Sequence, residues 1–189
     1  RRPTEPGGCP QAPTKLSSPG ARVPAMTQHR HRDEHTARSA TGRSSEEPYD
    51  PWRDAAENWP AVEVITEPMR GRLLGQLRYP VIALRAGTSA AQQRCTLAHE
   101  LVHLERGGGV CAPWAAREEL LVHAEAARRL VGPDALARAV RELGGDHDVG
   151  ALAKLLDVDT ETTRLRLRLL TAGERVRLRA RLGSDTWVA

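Results

Sequence analysis

Thr96-Leu97-Ala98-His99-Glu100-Leu101-Val102-His103-Leu104-Glu105-Arg106-Gly107 is the stretch on which the reading of this chain turns. It lies in a run from Gln92 to Arg106 that scans as an amphipathic helix. No Pro or Gly interrupts residues 89–106, and Gly107, Gly108 and Gly109 then supply a stop. Leu97, Leu101 and Leu104 recur at helical spacing and mark a core face. His99 and His103 are four residues apart, so on a helix they project from one side, one turn above the other. Two imidazole nitrogens placed in this way can share one Zn²⁺. Glu100, beside His99, is in reach of a metal-bound water without being a ligand.

A catalytic zinc takes three protein ligands and keeps one position open. The third is expected from the next helical segment, about residues 114–131, which carries Glu118, Glu119, His123 and Glu125. Glu119 and His123 are four apart and share a face, so either can look toward the site with the other as its supporting partner.

Residues 96–107 resemble the active-site helix of the ImmA/IrrE family of metallo-endopeptidases, most of all its short actinobacterial and phage versions. In that family a second helix of the type Glu-x-Glu-Ala-x-x-Phe-Ala follows and brings an acidic third ligand. Residues 123–130, His-Ala-Glu-Ala-Ala-Arg-Arg-Leu, lie on that pattern, with His123 at its first Glu and Arg129-Leu130 in place of Phe-Ala. The resemblance implies metal ligands His99, His103 and His123, with Glu119 as the competing third ligand and Glu100 as general base. It extends over residues 50–182, strongest at 96–107. It further implies a zinc-dependent endopeptidase whose substrate is a regulatory protein such as a transcriptional repressor. Because His ligands must be neutral, activity should fall below about pH 6. Tyr79 and His147 are the two loose choices for a further polar group opposite the metal.

The expected fold is α+β: a small antiparallel sheet, then a zincin-like helical core. Residues 50–58 read as a short helix and 62–65 as a strand, while 73–77 and 81–84 form a hairpin around Tyr79-Pro80. Helices are expected at about 89–106, 114–131, 133–143 and 149–157, and residues 160–182 as two helices broken near Gly173. Residues 1–47, rich in Pro, Gly, Ser, Thr and Arg, read as a disordered basic tail that holds His29, His31 and His35. The first Met is Met26, where translation could begin. The domain is expected at 48–145, with a C-terminal helical segment at 146–189.

Composition narrows the rest. With 40% hydrophobic residues, no Phe, two Tyr and four Trp, the core must be built from Leu, Val and Ala. The net charge of +4 belongs to the tail: up to Ser45 there are eight basic and three acidic residues, leaving 20 and 21 elsewhere. Bulk charge therefore gives no argument for nucleic-acid binding by the folded part. Three scattered cysteines, Cys9, Cys95 and Cys111, make no disulfide framework and fit reduced thiols in a cytoplasm. Cys95 lies one turn before His99, and Cys111 reads as a thiol in a loop. No apolar run approaches the roughly 20 residues of a membrane span, and the first 25 residues lack the apolar centre of a secretory signal.

One rival reading remains. Residues 151–166 resemble a helix-turn-helix in which the first helix ends at Leu156, Val158 fills the turn and Asp159 caps the second helix. Arg164, Arg166 and Arg168 would then face DNA, and the metal would be structural. A protein that keeps the metal for folding alone is the third class.

Overall fold

A computed structural model describes residues 48–107, 115–144 and 148–182. The expected tail at 1–47, with Cys9 and its histidines, lies outside the described residues, as do Cys111 and His147. The chain divides into two units, Arg1–Arg43 and Ser44–Ala189, and the fold below is that of the second.

Local chemistry sets the element boundaries. Helix α1 (Pro51–Asn58) starts with Asp50 accepting from the Trp52 N–H and Pro51 in the first turn, where a missing N–H costs nothing. Three strands follow: β1 (Glu63–Glu67), β2 (Gly75–Arg78) and β3 (Val81–Arg85). Helix α2 (Ala90–Glu105) opens on a capping box between Ser89 and Gln92 and gives way to Gly107 at φ 89°. Then come α3 (Ala115–Leu130), α4 (Pro133–Glu142), α5 (Val149–Leu156), α6 (Thr160–Arg168) and α7 (Ala172–Leu182).

The α+β class holds, with one correction in the sheet. Its order is β1-β3-β2, and β1 runs parallel to β3, with Ile65 opposite Ala83. Only β2 and β3 are antiparallel, with Gln76 opposite Ala83. The chain between β1 and β3 includes β2 and is long enough to cross back, so β1 pairs with the far side of β3. β3 is thereby central, and Ile82, Ala83 and Leu84 are buried. The connection before β2 is tied down by Arg85, whose guanidinium donates to the carbonyls of Met69 and Gly71.

Helix α2 lies between two apolar clusters. Leu97 and Leu101 pack with Ala55, Ile82 and Leu84, and Leu104 joins them. From its other side Cys95, Ala98 and Val102 pack into a larger cluster with Val122, Ala126, Leu136, Leu152 and Leu178. The core is mainly Leu, Val and Ala, as the composition demands. A helix buried on two sides has little freedom to rotate, which fixes where its remaining side chains point.

One further boundary and one side chain differ from expectation. The break in the last stretch falls at residues 169–171, and Gly173 lies inside α7. The α5–α6 turn forms as read: α5 ends at Leu156, Val158 is buried and the Asp159 carboxylate accepts from the Thr162 N–H. Arg166, however, does not face outward. It is 1% exposed, donates to the Val131 carbonyl at 2.7 Å and pairs with Glu174. The packing of α6 on α3 and α5, with Glu174 of α7 as ion-pair partner, turns this residue into an internal tie. No helix among the described residues is long and apolar enough to cross a membrane.

Candidate metal centre

His99 and His103 leave α2 from the strip between its two core faces and meet: their Nε2 atoms are 3.0 Å apart. Their side chains are 17% and 13% exposed. From α3, the Glu119 carboxylate reaches His103 Nε2 at 3.1 Å and His99 Nε2 at 3.4 Å. His123, one turn further along α3, places its Nε2 3.8 Å from Glu119 Oε2, and its ring stands 4.3 Å from that of His99. The expected pair on α2 is thus joined by both of the side chains weighed on α3.

This donor set fits a divalent cation. Ligands about 2.0–2.1 Å from a tetrahedral zinc stand about 3.3 Å from one another; the His99–His103 separation of 3.0 Å, and the contacts of 3.4 Å from Glu119 Oε2 to His99 and 3.1 Å from Glu119 Oε1 to His103, fall near that spacing. His99, Glu119 and His123 also lie within 4.8 Å of one another as a possible ligand group. Glu119 belongs to both triads. Burial, and then the neighbouring His123 and His103, bring the His99 pKa down to about 3, so its ring is neutral at ordinary pH and keeps a free lone pair. Its Nδ1 is buried without a hydrogen-bond partner among the described residues, so the ring is oriented by packing and by its Nε2 neighbours.

Glu100 lines the same cleft as this cluster, lies against β2 at Gly75 and is 7% exposed. Burial raises its carboxyl to about 7; the Leu77 N–H pulls the other way, and the Glu119 charge adds to the rise. A carboxyl that titrates near neutrality can both take and return a proton. Its position depends on Gly75. A Cβ at Gly75 would stand 2.3 Å from Thr96 Cγ2 and 2.9 Å from Glu100 Oε1, so only glycine lets β2 lie this close to α2.

Three ties hold α2 against its surroundings. Arg94 is buried and donates to the Asp157 and Tyr49 carbonyls at 2.7 Å each and to that of Leu156 at 3.2 Å. Arg129 on α3 grips Glu105 with two bonds of 2.6 and 2.7 Å and also pairs with Glu125. Arg106 pairs with Glu118. The Arg129 and Arg106 pairs join α2 to α3 and so set Glu119 and His123 over the histidine pair. Sequence reading missed Gly75, Arg94 and Arg129. A glycine inside a strand was the available signal for the first; the two arginines carry none, because their partners are distant in sequence.

The donors open onto a cleft of about 1150 Å³. Its floor is α2, one wall is β2 with the chain before it, and the other wall is α3 and α6. Tyr79 lines the rim and is 67% exposed. Cys95 also borders the cleft, but burial and the Asp159 carboxylate push its thiol up to about 11, and its Sγ accepts from the Asp159 N–H. Its sulfur is engaged at the start of α6, and Cys95 does not belong to the possible ligand group.

The comparisons with known proteins agree with the geometry. Residues 60–168 match the peptidase family model Peptidase_M78, described as the IrrE N-terminal-like domain. No curated protein and no solved structure matches the chain. The matched span runs from before β1 to the end of α6 and so takes in the histidine pair, Glu100, both α3 donors and every wall of the cleft. On that match the chain belongs to the IrrE N-terminal-like peptidase family and, with it, among the metallopeptidases.

Proposed function

We propose that this protein is a zinc-dependent endopeptidase with Glu100 as its general base. The observation that carries the proposal is the meeting of His99, His103 and Glu119 at 3.0–3.4 Å, with the raised Glu100 carboxyl next to His99. A set of imidazoles and one carboxylate suits Zn²⁺ among the common divalent ions. Bound there, the cation would polarise a peptide carbonyl and supply an activated water.

The chain's own residues do the rest. Glu100 accepts the proton of the attacking water and hands it to the leaving amine, which its near-neutral pKa allows in both directions. His99 and His103 hold the cation from α2. The resemblance puts His123 in the third position; the reach of the Glu119 carboxylate to both α2 rings supports Glu119, with His123 beside it in the same possible ligand group. The β2 wall offers a strand edge to an extended polypeptide. The substrate proposed from the family resemblance is a regulatory protein such as a transcriptional repressor, cleaved in a cytoplasm.

Metal analysis and peptide cleavage test this together. Glu100→Gln should keep full metal and lose about 10²–10⁴-fold in rate. His99→Ala and Glu119→Ala should lose the metal, while His123→Ala should weaken it less. Full metal in Glu119→Ala with none in His123→Ala would move the third ligand to His123. Undiminished cleavage by Glu100→Gln would end the proposed mechanism. The DNA-binding alternative is disfavoured because Arg166 is internal and Arg164 pairs with Glu161, leaving Arg168 alone of its three arginines unpaired among the described residues.

A further inference from the structure

Helix α6 closes one side of the cleft, yet nothing in the proposed hydrolysis uses it. Thr160, Glu161, Thr162, Leu165 and Arg168 line the cavity from this helix. The wall is firmly held: Arg166 bonds the Val131 carbonyl and Glu174, and the Thr163 hydroxyl donates to the Asp159 carbonyl at 3.0 Å. The Arg168 side chain is exposed and meets no carboxylate among the described residues. A guanidinium fixed at its base on a packed helix and free at its tip is placed to read a planar anion.

The apolar surface of the cleft sets the context. Of the eight large apolar side chains exposed among the described residues, Leu73, Leu74, Tyr79 and Leu120 all line this cleft. Half of the exposed bulk thus gathers around one cavity, which asks for an apolar complement. The same cavity is lined by four acidic residues, Glu100, Glu119, Asp159 and Glu161, whose carboxylates repel a polyphosphate backbone. A peptide with a single acidic residue avoids that repulsion.

We propose that the cleft selects extended polypeptide segments that lay bulky apolar side chains against Leu73, Leu74 and Leu120 and offer a carboxylate to Arg168, which makes Arg168 a specificity-determining residue. This deepens the endopeptidase reading and rests on it for the substrate. A bidentate bond at the edge of an apolar cavity is a charge-assisted one, strong enough to separate Glu from Gln at one substrate position.

The test is peptide binding by the zinc-loaded, full-length Glu100→Gln protein, which holds its ligand uncut. Fluorescent, Leu-rich peptides carry Glu or Gln at each position in turn, and binding is read by anisotropy. At one position Glu should bind about tenfold more tightly than Gln. Adding Arg168→Ala should bring that ratio to about one, and Arg168→Glu should shift the preference to Lys; the melting temperatures should stay together because the side chain is exposed. A Glu/Gln ratio near one throughout, a ratio that survives Arg168→Ala, or duplex DNA as the tighter ligand would overturn the proposal. The same peptides given to the unsubstituted protein separate the two readings. Selective binding without cleavage sinks the peptidase and leaves the docking; cleavage indifferent to Glu sinks the docking and leaves the peptidase.

Discussion

Helices α2 and α3 are both 16 residues long, and each brings two donor side chains to the centre, but they are built differently. α2 is packed on two sides, and its histidines are 17% and 13% exposed. α3 is packed on one, and its Glu119 and His123 are 49% and 57% exposed. The first helix is a fixed platform. The second is a docked arm whose donors arrive because salt bridges and an apolar seam hold it in place. Two of the four candidate donors are therefore intrinsic to one helix, and the other two depend on the docking between two.

That contrast can be broken at either helix. The largest effect is expected at the platform. Leu101→Ala removes a fully buried side chain between α2 and β3 and should cost about 2–5 kcal/mol, with fold and metal lost together in a urea titration followed by circular dichroism and metal content. Loss of metal with an intact fold would mean that α2 is not the platform. Gly75→Ala comes next. It forces β2 off Thr96 and Glu100, as an overpacked site of about 1–3 kcal/mol. The turnover rate should fall while the metal stays, and an unchanged rate would show that Glu100 does not need this strand.

At the arm the order reverses. Arg129→Gln removes the grip on Glu105 and should weaken metal affinity about tenfold while shifting stability by less than about 1 kcal/mol. Competition with a chromogenic chelator reads the first and thermal melting the second. A large stability loss with unchanged affinity would place Arg129 in the fold alone.

The smallest effect concerns α6 and α7. Burial alone would raise the Glu174 carboxyl, but the Thr171 N–H and the Arg166 guanidinium outweigh it and hold the pKa at about 2. A carboxyl held below its ordinary value of 4.5 adds stability that is complete above that value and is lost as pH falls from 4.5 toward 2. Chemical denaturation between those pH values should show this slope, and Glu174→Gln should flatten it. An equal slope in that variant would assign acid sensitivity elsewhere.

Much of the fold was legible because its signals are local. Ser89 with Gln92, Asp50 before Pro51, and Asp159 before Thr162 each satisfy backbone donors within three residues, so helix starts could be read directly. The pairing of β1 with β3 could not: parallel and antiparallel partners leave the same apolar strand pattern, and only the path of the intervening chain decides. The burial of Arg166 was likewise hidden, since an arginine written between two leucines carries no mark of the carbonyl and carboxylate it will meet.

By itself the sequence determined the histidine pair and the adjoining Glu100, because a helical repeat of 3.6 residues brings positions 99 and 103 to one side whatever surrounds them. Only the tertiary structure decided how Glu119 and His123 stand to that pair, that Glu100 is buried deeply enough to titrate near neutrality, and that α6 walls the cleft. Those outcomes depend on contacts between segments far apart in the chain, where packing and desolvation act and no local rule reaches.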